Sequence, residues 1–330
     1  MDTLLEAIDV CDVDGFCFGN YTDEEAGTGC TVIVAPEGAT GGDVRGGAPA
    51  SRETDLLRPE NTVDKVHAVC LSGGSAFGLE AASGVARELE SRGIGLPVGP
   101  TQVPIVCSSC IFDLAFGNPT VRPDIEAGIA AVREALDNTP TKLEQGNVGA
   151  GTGATVGKLM GPATCMKAGL GAAALALGPI KVGAVVSVNA CGNVVDPFTG
   201  EWVAGMRAAA DQIVVMELAA FAAAGSMQMP LDRTNTTISC IITNVELTKA
   251  QATKVSQMAA DAYAHAIRPT HTTNDGDTIY TLASGKLGAQ ASAAIPLDLL
   301  GMLAVRALQT AIVNGAKNAK TSHGVPGAAK

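Results

Sequence analysis

Short uninterrupted apolar runs, set between glycine-rich turns, organise the first third of the chain. Thr31–Ala35 (TVIVA) and Val66–Leu71 (VHAVCL) read as buried strands, followed by the turns GATGGDVRGGAP and SGGSAFG. From Ser75 to Ser91 the apolar positions recur at helical spacing, with Gly93 as a stop. Val103–Val106 reads as another strand and Pro123–Leu136 as another helix. In the middle, the loop GNVGAGTGATVGK precedes the small-residue stretch KAGLGAAALALG, and Ile180–Val188 is the strongest strand signal. Ala208–Ala224 is apolar almost all round and reads as a helix or a linker wall. Gly225–Asn235 (GSMQMPLDRTN) is polar, aperiodic and holds a proline, so it reads as a linker. Directly after it, Thr236–Thr243 (TTISCIIT) reads as a buried strand. A helix at Lys249–Ile267, the loop RPTHTTNDGDT, a strand IYTLAS and a helix near Leu297–Val313 follow, and the tail NAKTSHGVPGAAK reads as frayed. No internal repeat is evident. Strands mixed with helices imply a layered α/β or α+β fold.

Composition narrows this picture. Apolar residues make up 47% of 330, enough for a large core, but aromatics are only 3% against 39 glycines. Such a core rests on small side chains and close backbone contacts. The net charge of −11, with no basic run, speaks against a nucleic-acid partner. Nine cysteines, an odd number in a large chain, read as reduced, mostly buried thiols. The acidic N-terminus MDTLLEAIDVCDVDGF lacks the basic start of a signal peptide, and the uncharged stretch near Ala168–Gly178 is too short to span a bilayer. The expectation is a soluble, cytoplasmic protein with no membrane partner.

Several attractive motifs fail on inspection. SGGSAFG resembles a nucleophile elbow, but Phe77 stands where the second glycine belongs. GTGATVGK has three residues between Gly153 and Gly157 where a phosphate loop needs four, and Leu159 follows Lys158 in place of Ser or Thr. The dinucleotide pattern from Gly149 and Gly151 ends on Ala154. Cys107 and Cys110 form a single CxxC without a second pair, so no metal or other cofactor is expected. His67 inside an apolar strand reads as a satisfied core residue.

What remains is a hydroxyl residue at the junction of a linker and a buried strand, Asn235–Thr236. A chain cut there places a free α-amine and a hydroxyl on one residue, base and nucleophile together. Many strands also begin with threonine, so spacing alone leaves both readings open.

The stretches GTGCTVIVAPEGATGGDVRGGAPASRETDLL (28–57), VHAVCLSGGSAFGLEAASGV (66–85), GNVGAGTGATVGK (146–158), NTTISCIITN (235–244) and IRPTHTTNDGDTIY (267–280) resemble the P1 family of peptidases (S58). That family includes L-aminopeptidase/D-amidase-esterases, β-peptidyl aminopeptidases and nylon-oligomer hydrolases. The resemblance implies an α+β, four-layer αββα sandwich of the N-terminal-nucleophile, ornithine-acetyltransferase-like type. It implies a single catalytic domain cut into chains 1–235 and 236–330, which stay together and assemble as a homotetramer. It implies Thr236 as nucleophile and Asn189 as a donor to the oxyanion. Lys167 is implied near the nucleophile, and Asp275 and Asp277 as orienting acids, although NDGD is also an ordinary tight turn. Phe112, a candidate substrate-binding residue, stands where several relatives carry a tyrosine with its hydroxyl near the oxyanion, so that donor is missing here or Asn189 and a backbone N–H suffice. The implied substrate is a small peptide or amide. Alternatives are an endo-type hydrolase of 6-aminohexanoate oligomers and an acyltransferase or inactive binding relative.

Overall fold

The apolar runs build two five-stranded sheets, and the computed structural model describes residues 4–42, 47–208, 212–225 and 235–329. One sheet has the order β1 (Glu6–Ile8), β11 (Leu170–Leu177), β12 (Ile180–Asn189), β15 (Thr236–Thr243) and β17 (Thr278–Ala283). The other has the order β2 (Cys17–Asp23), β3 (Thr28–Ala39), β5 (Val66–Ser72), β8 (Val106–Cys110) and β4 (Ser51–Arg52). Smaller pairings join β6 (Leu96–Val98) to β7 (Thr101–Val103), β9 (Thr155–Val156) to β10 (Met166–Lys167), and β13 (Asn193–Val195) to both β14 (Trp202–Ala204) and β16 (Ile267–Arg268). The helices are α1 (Ala81–Ser91), α2 (Ile125–Asp137), α3 (Met216–Gly225), α4 (Lys249–Ala259), α5 (Asp261–Ala266), α6 (Ala289–Ala293) and α7 (Leu297–Lys317).

Side-chain alternation explains the layers. Along β3, Ile33 and Ala35 join Phe18, Val69 and Leu71 against Leu170, Val185, Ile238 and Ile242 of the facing sheet. Val32 and Val34 point the other way, onto Val85 and Leu89 of α1 and Val132 of α2. On the other sheet, Val186 and Ile241 pack under Val255 of α4, Tyr263 of α5 and Leu308 of α7. Both faces of the central strands are therefore buried, which is why they read as continuous apolar runs. Full burial of a side chain such as Ile238 contributes about 1.5–3 kcal/mol.

Glycine and alanine let the helices sit directly on the sheets. A Cβ at Gly19 on β2 would lie 2.0 Å from the Ala131 carbonyl oxygen of α2. A Cβ at Gly171 on β11 would lie 1.9 Å from that of Ala311 on α7. These two contacts are equivalent, because the topology repeats although the sequence does not. In β2-β3-β5-β8 and in β11-β12-β15-β17 two antiparallel steps precede one parallel step. In both, a helix follows the fourth strand and returns over the first two.

Three expectations change, and one stretch left unassigned is resolved. Pro104 splits the strand expected at Val103–Val106 into the end of β7 and the start of β8. The helix expected over Ala208–Ala224 is confined, among the described residues, to Met216–Gly225, and most of the linker Gly225–Asn235 lies outside the described residues. KAGLGAAALALG carries the strand β11, because its small residues are what a helix above the sheet requires. The tail is packed rather than frayed: the Pro326 carbonyl accepts from Lys167 N at 2.8 Å, and Lys320 and Asn147 exchange bonds of 2.9 and 3.0 Å. Helix α7 is long and apolar enough to cross a membrane by composition; here it forms the core contact with β11 and β12. All nine cysteines are free, with Cys11 and Cys17 half-buried and the rest buried.

Candidate active site

Thr236 opens β15, where Asn189, the last residue of β12, is its cross-strand partner. Both are buried, at 6% and 0% exposure. The Thr236 hydroxyl donates to the carbonyl oxygen of Asn235, and the Gly276 N–H lies 3.4 Å from that same oxygen. Gly276 is glycine for a steric reason. A Cβ there would come 2.9 Å from Thr236 Oγ1 and 2.9 Å from the Ala48 carbonyl oxygen.

The Asn189 amide is held in one orientation. Its Oδ1 accepts from Thr155 N at 3.0 Å and from Lys158 Nζ at 2.7 Å, so Nδ2 must face the opposite way. One Nδ2 proton goes to the Phe112 carbonyl oxygen at 3.0 Å, and the other has no protein acceptor among the described residues. Phe112 thus serves the site through its backbone, while its side chain helps line the neighbouring cavity.

Two lysines lie in this region and make different bonds. Lys167 is wholly buried, but its ammonium donates to the carbonyls of Gly151, Ala154 and Ala168 and makes no hydrogen bond to Thr236. Burial lowers its pKa to about 7, against the opposing pull of Asp113 and Cys165. The lysine on Asn189 is Lys158, which also donates to the Asn189 carbonyl at 3.0 Å. Sequence reasoning met Lys158 only as the end of a failed phosphate loop. Nothing local marks it, because its partner lies 31 residues further on.

The NDGD turn sits against Thr236, with Gly276 beside its hydroxyl. Asp275 bridges Asn235 in parallel register, and its Oδ2 accepts from Thr272 N at 2.6 Å. Burial, with Asp277 beside it, raises the Asp275 pKa, while Lys158 lowers it. Asp277 Oδ1 accepts from Thr237 N at 2.8 Å, and its Oδ2 meets His271 Nδ1 at 2.8 Å. Among the described residues, three buried atoms, Asn235 Oδ1, Asp275 Oδ1 and Thr237 Oγ1, have no partner. Buried polar atoms are almost always bonded, so those on the residues flanking Thr236 leave room for a ligand or water.

Beside Lys158 opens a cavity of about 40 Å³, lined by Phe112, Phe116, Thr155, Pro162, Cys165 and Val325 among others. Val325 comes from the packed tail. Among the described residues no group of three or more His, Cys, Asp or Glu is placed to hold a metal. Cys107 and Cys110 lie buried in β8, and burial pushes both thiols up. His67 is a core histidine whose Nδ1 accepts from Ile105 N at 3.1 Å.

The fold is that of N-terminal-nucleophile aminopeptidases. A Burkholderia sp. beta-aminopeptidase matches 97% of this chain and 90% of its own at a TM-score of 0.67 and 19% identity. The L-aminopeptidase D-Ala-esterase/amidase of Ochrobactrum anthropi, described as a variant of the Ntn hydrolase fold, matches 94% and 86% at a TM-score of 0.63 and 18% identity. The model of peptidase family S58 covers residues 9–329. The chain belongs to peptidase family S58 and is an amide hydrolase. An uncharacterized aminopeptidase of Mycobacterium leprae is 40% identical, over 88% of this chain and 82% of its own. A 6-aminohexanoate-oligomer endohydrolase of Kocuria sp. is 31% identical, over 93% and 85%.

Proposed function

We propose that the chain cuts itself between Asn235 and Thr236 and then hydrolyses short peptides or amino-acid amides with Thr236 as nucleophile. The contact of the Thr236 hydroxyl with the Asn235 carbonyl oxygen carries this reading, because it sets the hydroxyl beside the peptide it would attack. Thr236 Oγ1 bonds to the Asn235 carbonyl carbon, its proton passes to the peptide nitrogen, and the C–N bond breaks. An ester and a free α-amine result. Water hydrolyses the ester, leaving the Asn235 carboxylate and restoring the hydroxyl.

In turnover the amine, with an ordinary pKa of about 7.7–8.0, takes the hydroxyl proton as Oγ1 attacks the substrate carbonyl. The proton then passes to the leaving nitrogen, and water releases the acyl group. Support comes from the second Nδ2 proton of Asn189, a donor for the oxyanion beside Thr236. The unpartnered Oδ1 of Asp275 is an acceptor for the new amine. Lys158 fixes the Asn189 amide. Exposed Leu218 and Phe221 on α3, with Phe198, offer apolar surface for the proposed tetramer of αβ units, which sedimentation tests.

On a denaturing gel the mature protein runs as two fragments, and the smaller begins Thr-Thr-Ile-Ser-Cys. One intact band in an active preparation refutes self-cutting. A panel of L-, D- and β-aminoacyl p-nitroanilides with an aminohexanoyl oligomer separates the aminopeptidase from the endohydrolase, a second reading favoured by the Kocuria relative.

A further inference from the structure

We propose that His271 is a positioning residue that fixes the first peptide of the nucleophile strand. This rests on the reading of Thr236 as nucleophile. Thr237 is gripped on both sides of its Cα: its N–H, in the first peptide of the strand, donates to Asp277 Oδ1 at 2.8 Å, and its carbonyl, in the next peptide, accepts from the Tyr263 hydroxyl at 3.2 Å. His271 touches both grips. Its Nδ1 meets the second oxygen of Asp277 at 2.8 Å, and its ring stacks on Tyr263 at 5.5 Å with an interplanar angle of 19°. The Ala260 carbonyl is a further acceptor for the ring.

A ring presented to a carboxylate and a carbonyl is best satisfied as imidazolium, with both nitrogens protonated. His271 also holds a left-handed backbone, φ +54°, which a non-glycine residue keeps only when its surroundings enforce it. The ionisable groups around it are Asp277 and Asp275 on its own loop and Tyr263 on α5, with Lys158 acting on Asp275 from the glycine-rich loop. The hydrogen bond to Asp277 leads in raising the imidazole pKa above its usual 6.5, against burial. The grip is therefore complete below the ordinary imidazole pKa and weakens as pH rises through the raised value.

The test compares wild type, His271→Phe, His271→Gln and Thr236→Ala on the p-nitroanilide that wild type hydrolyses fastest, across pH. Phenylalanine keeps the stacking and removes the bond to Asp277; glutamine keeps a neutral donor. Loosening of the strand start by about an ångström lowers kcat by up to about a hundredfold, so His271→Phe should lose about ten- to a hundredfold in kcat with KM nearly unchanged. In His271→Gln the part of the alkaline decline that belongs to His271 should disappear. An independent readout is the His271 ring-proton NMR titration, whose midpoint should fall in Asp277→Asn. Wild-type kcat and pH profile in His271→Phe overturn the proposal. Should that variant fail to fold, an unchanged profile in His271→Gln does so. Activity retained in Thr236→Ala refutes the nucleophile itself, whereas an inactive Thr236→Ala beside a wild-type-like His271→Phe refutes only the positioning role.

Discussion

The two topological halves begin their third strand in the same way with different side chains. In the first half Val66 opens β5 opposite Ala39, and in the second Thr236 opens β15 opposite Asn189. One residue on, the His67 N–H donates to the backbone carbonyl of Ile105 at 2.8 Å. In the equivalent place the Thr237 N–H donates to the side chain of Asp277, also at 2.8 Å. Ile105 and Asp277 each immediately precede the residue that opens the parallel fourth strand. The backbone arrangement is shared, but the first half closes this strand start with the Ile105 carbonyl and the His67 ring, and its unpartnered hydroxyls, Ser72 and Ser108, lie further along β5 and β8. The second leaves buried, unpartnered oxygens on Asn235, Asp275 and Thr237. Topology supplies the place, and a few polar side chains at one sheet end supply the chemistry.

The comparison breaks first at Thr236. Thr236→Ala should give an uncut chain with no detectable turnover, whereas Thr236→Ser keeps an attacking oxygen and still processes. His67→Ala, at the ordinary strand start, should process normally; gels and p-nitroanilide assays read both. The next largest effect belongs to Asn189→Ala, which should slow turnover about 10²–10³-fold with an unchanged circular dichroism spectrum. A smaller fall would make Asn189 a strand terminus like Ala39.

The two buried lysines come third. Lys158→Met removes one of the three bonds that hold the Asn189 amide and should lower kcat by about tenfold, toward the hundredfold cost of a misplaced group. Lys167→Met removes a cation bonded to three carbonyls and to neither Asn189 nor Thr236, so its effect should fall on thermal stability and leave kcat within about threefold. The reverse ranking would make Lys167 the lysine on which turnover depends. The smallest effect is Thr237→Val, which replaces a buried unpartnered hydroxyl with a methyl of similar size. Unfolding free energy should change by no more than about 1 kcal/mol, with processing intact. Loss of cleavage there would shift the nucleophile by one residue.

The strands at 31–35, 66–71, 180–188 and 236–243 were legible because burial on both faces makes them apolar without interruption. Helices α2 and α7 were legible from periodicity. β11 was obscure because LGAAALAL records contact with α7 rather than strand propensity. Resemblance pointed to Thr236, Asn189 and the NDGD turn as one site, and the structure places them together. It drew attention to Lys167 rather than Lys158, since two lysines nine residues apart in a glycine-rich segment look alike until the chain folds.

The sequence by itself determined the alternation of buried strands and helices, the small-residue core and the linker-to-strand junction at Asn235–Thr236. Those follow from local periodicity and side-chain volume. Only the tertiary structure decided which lysine orients Asn189, that His271 reaches both grips on Thr237, that the C-terminal tail walls the cavity, and that one topology is used twice. Each depends on residues distant in the chain meeting across a sheet end. Their hydrogen bonds form only when strand register and helix packing bring them within about 3 Å.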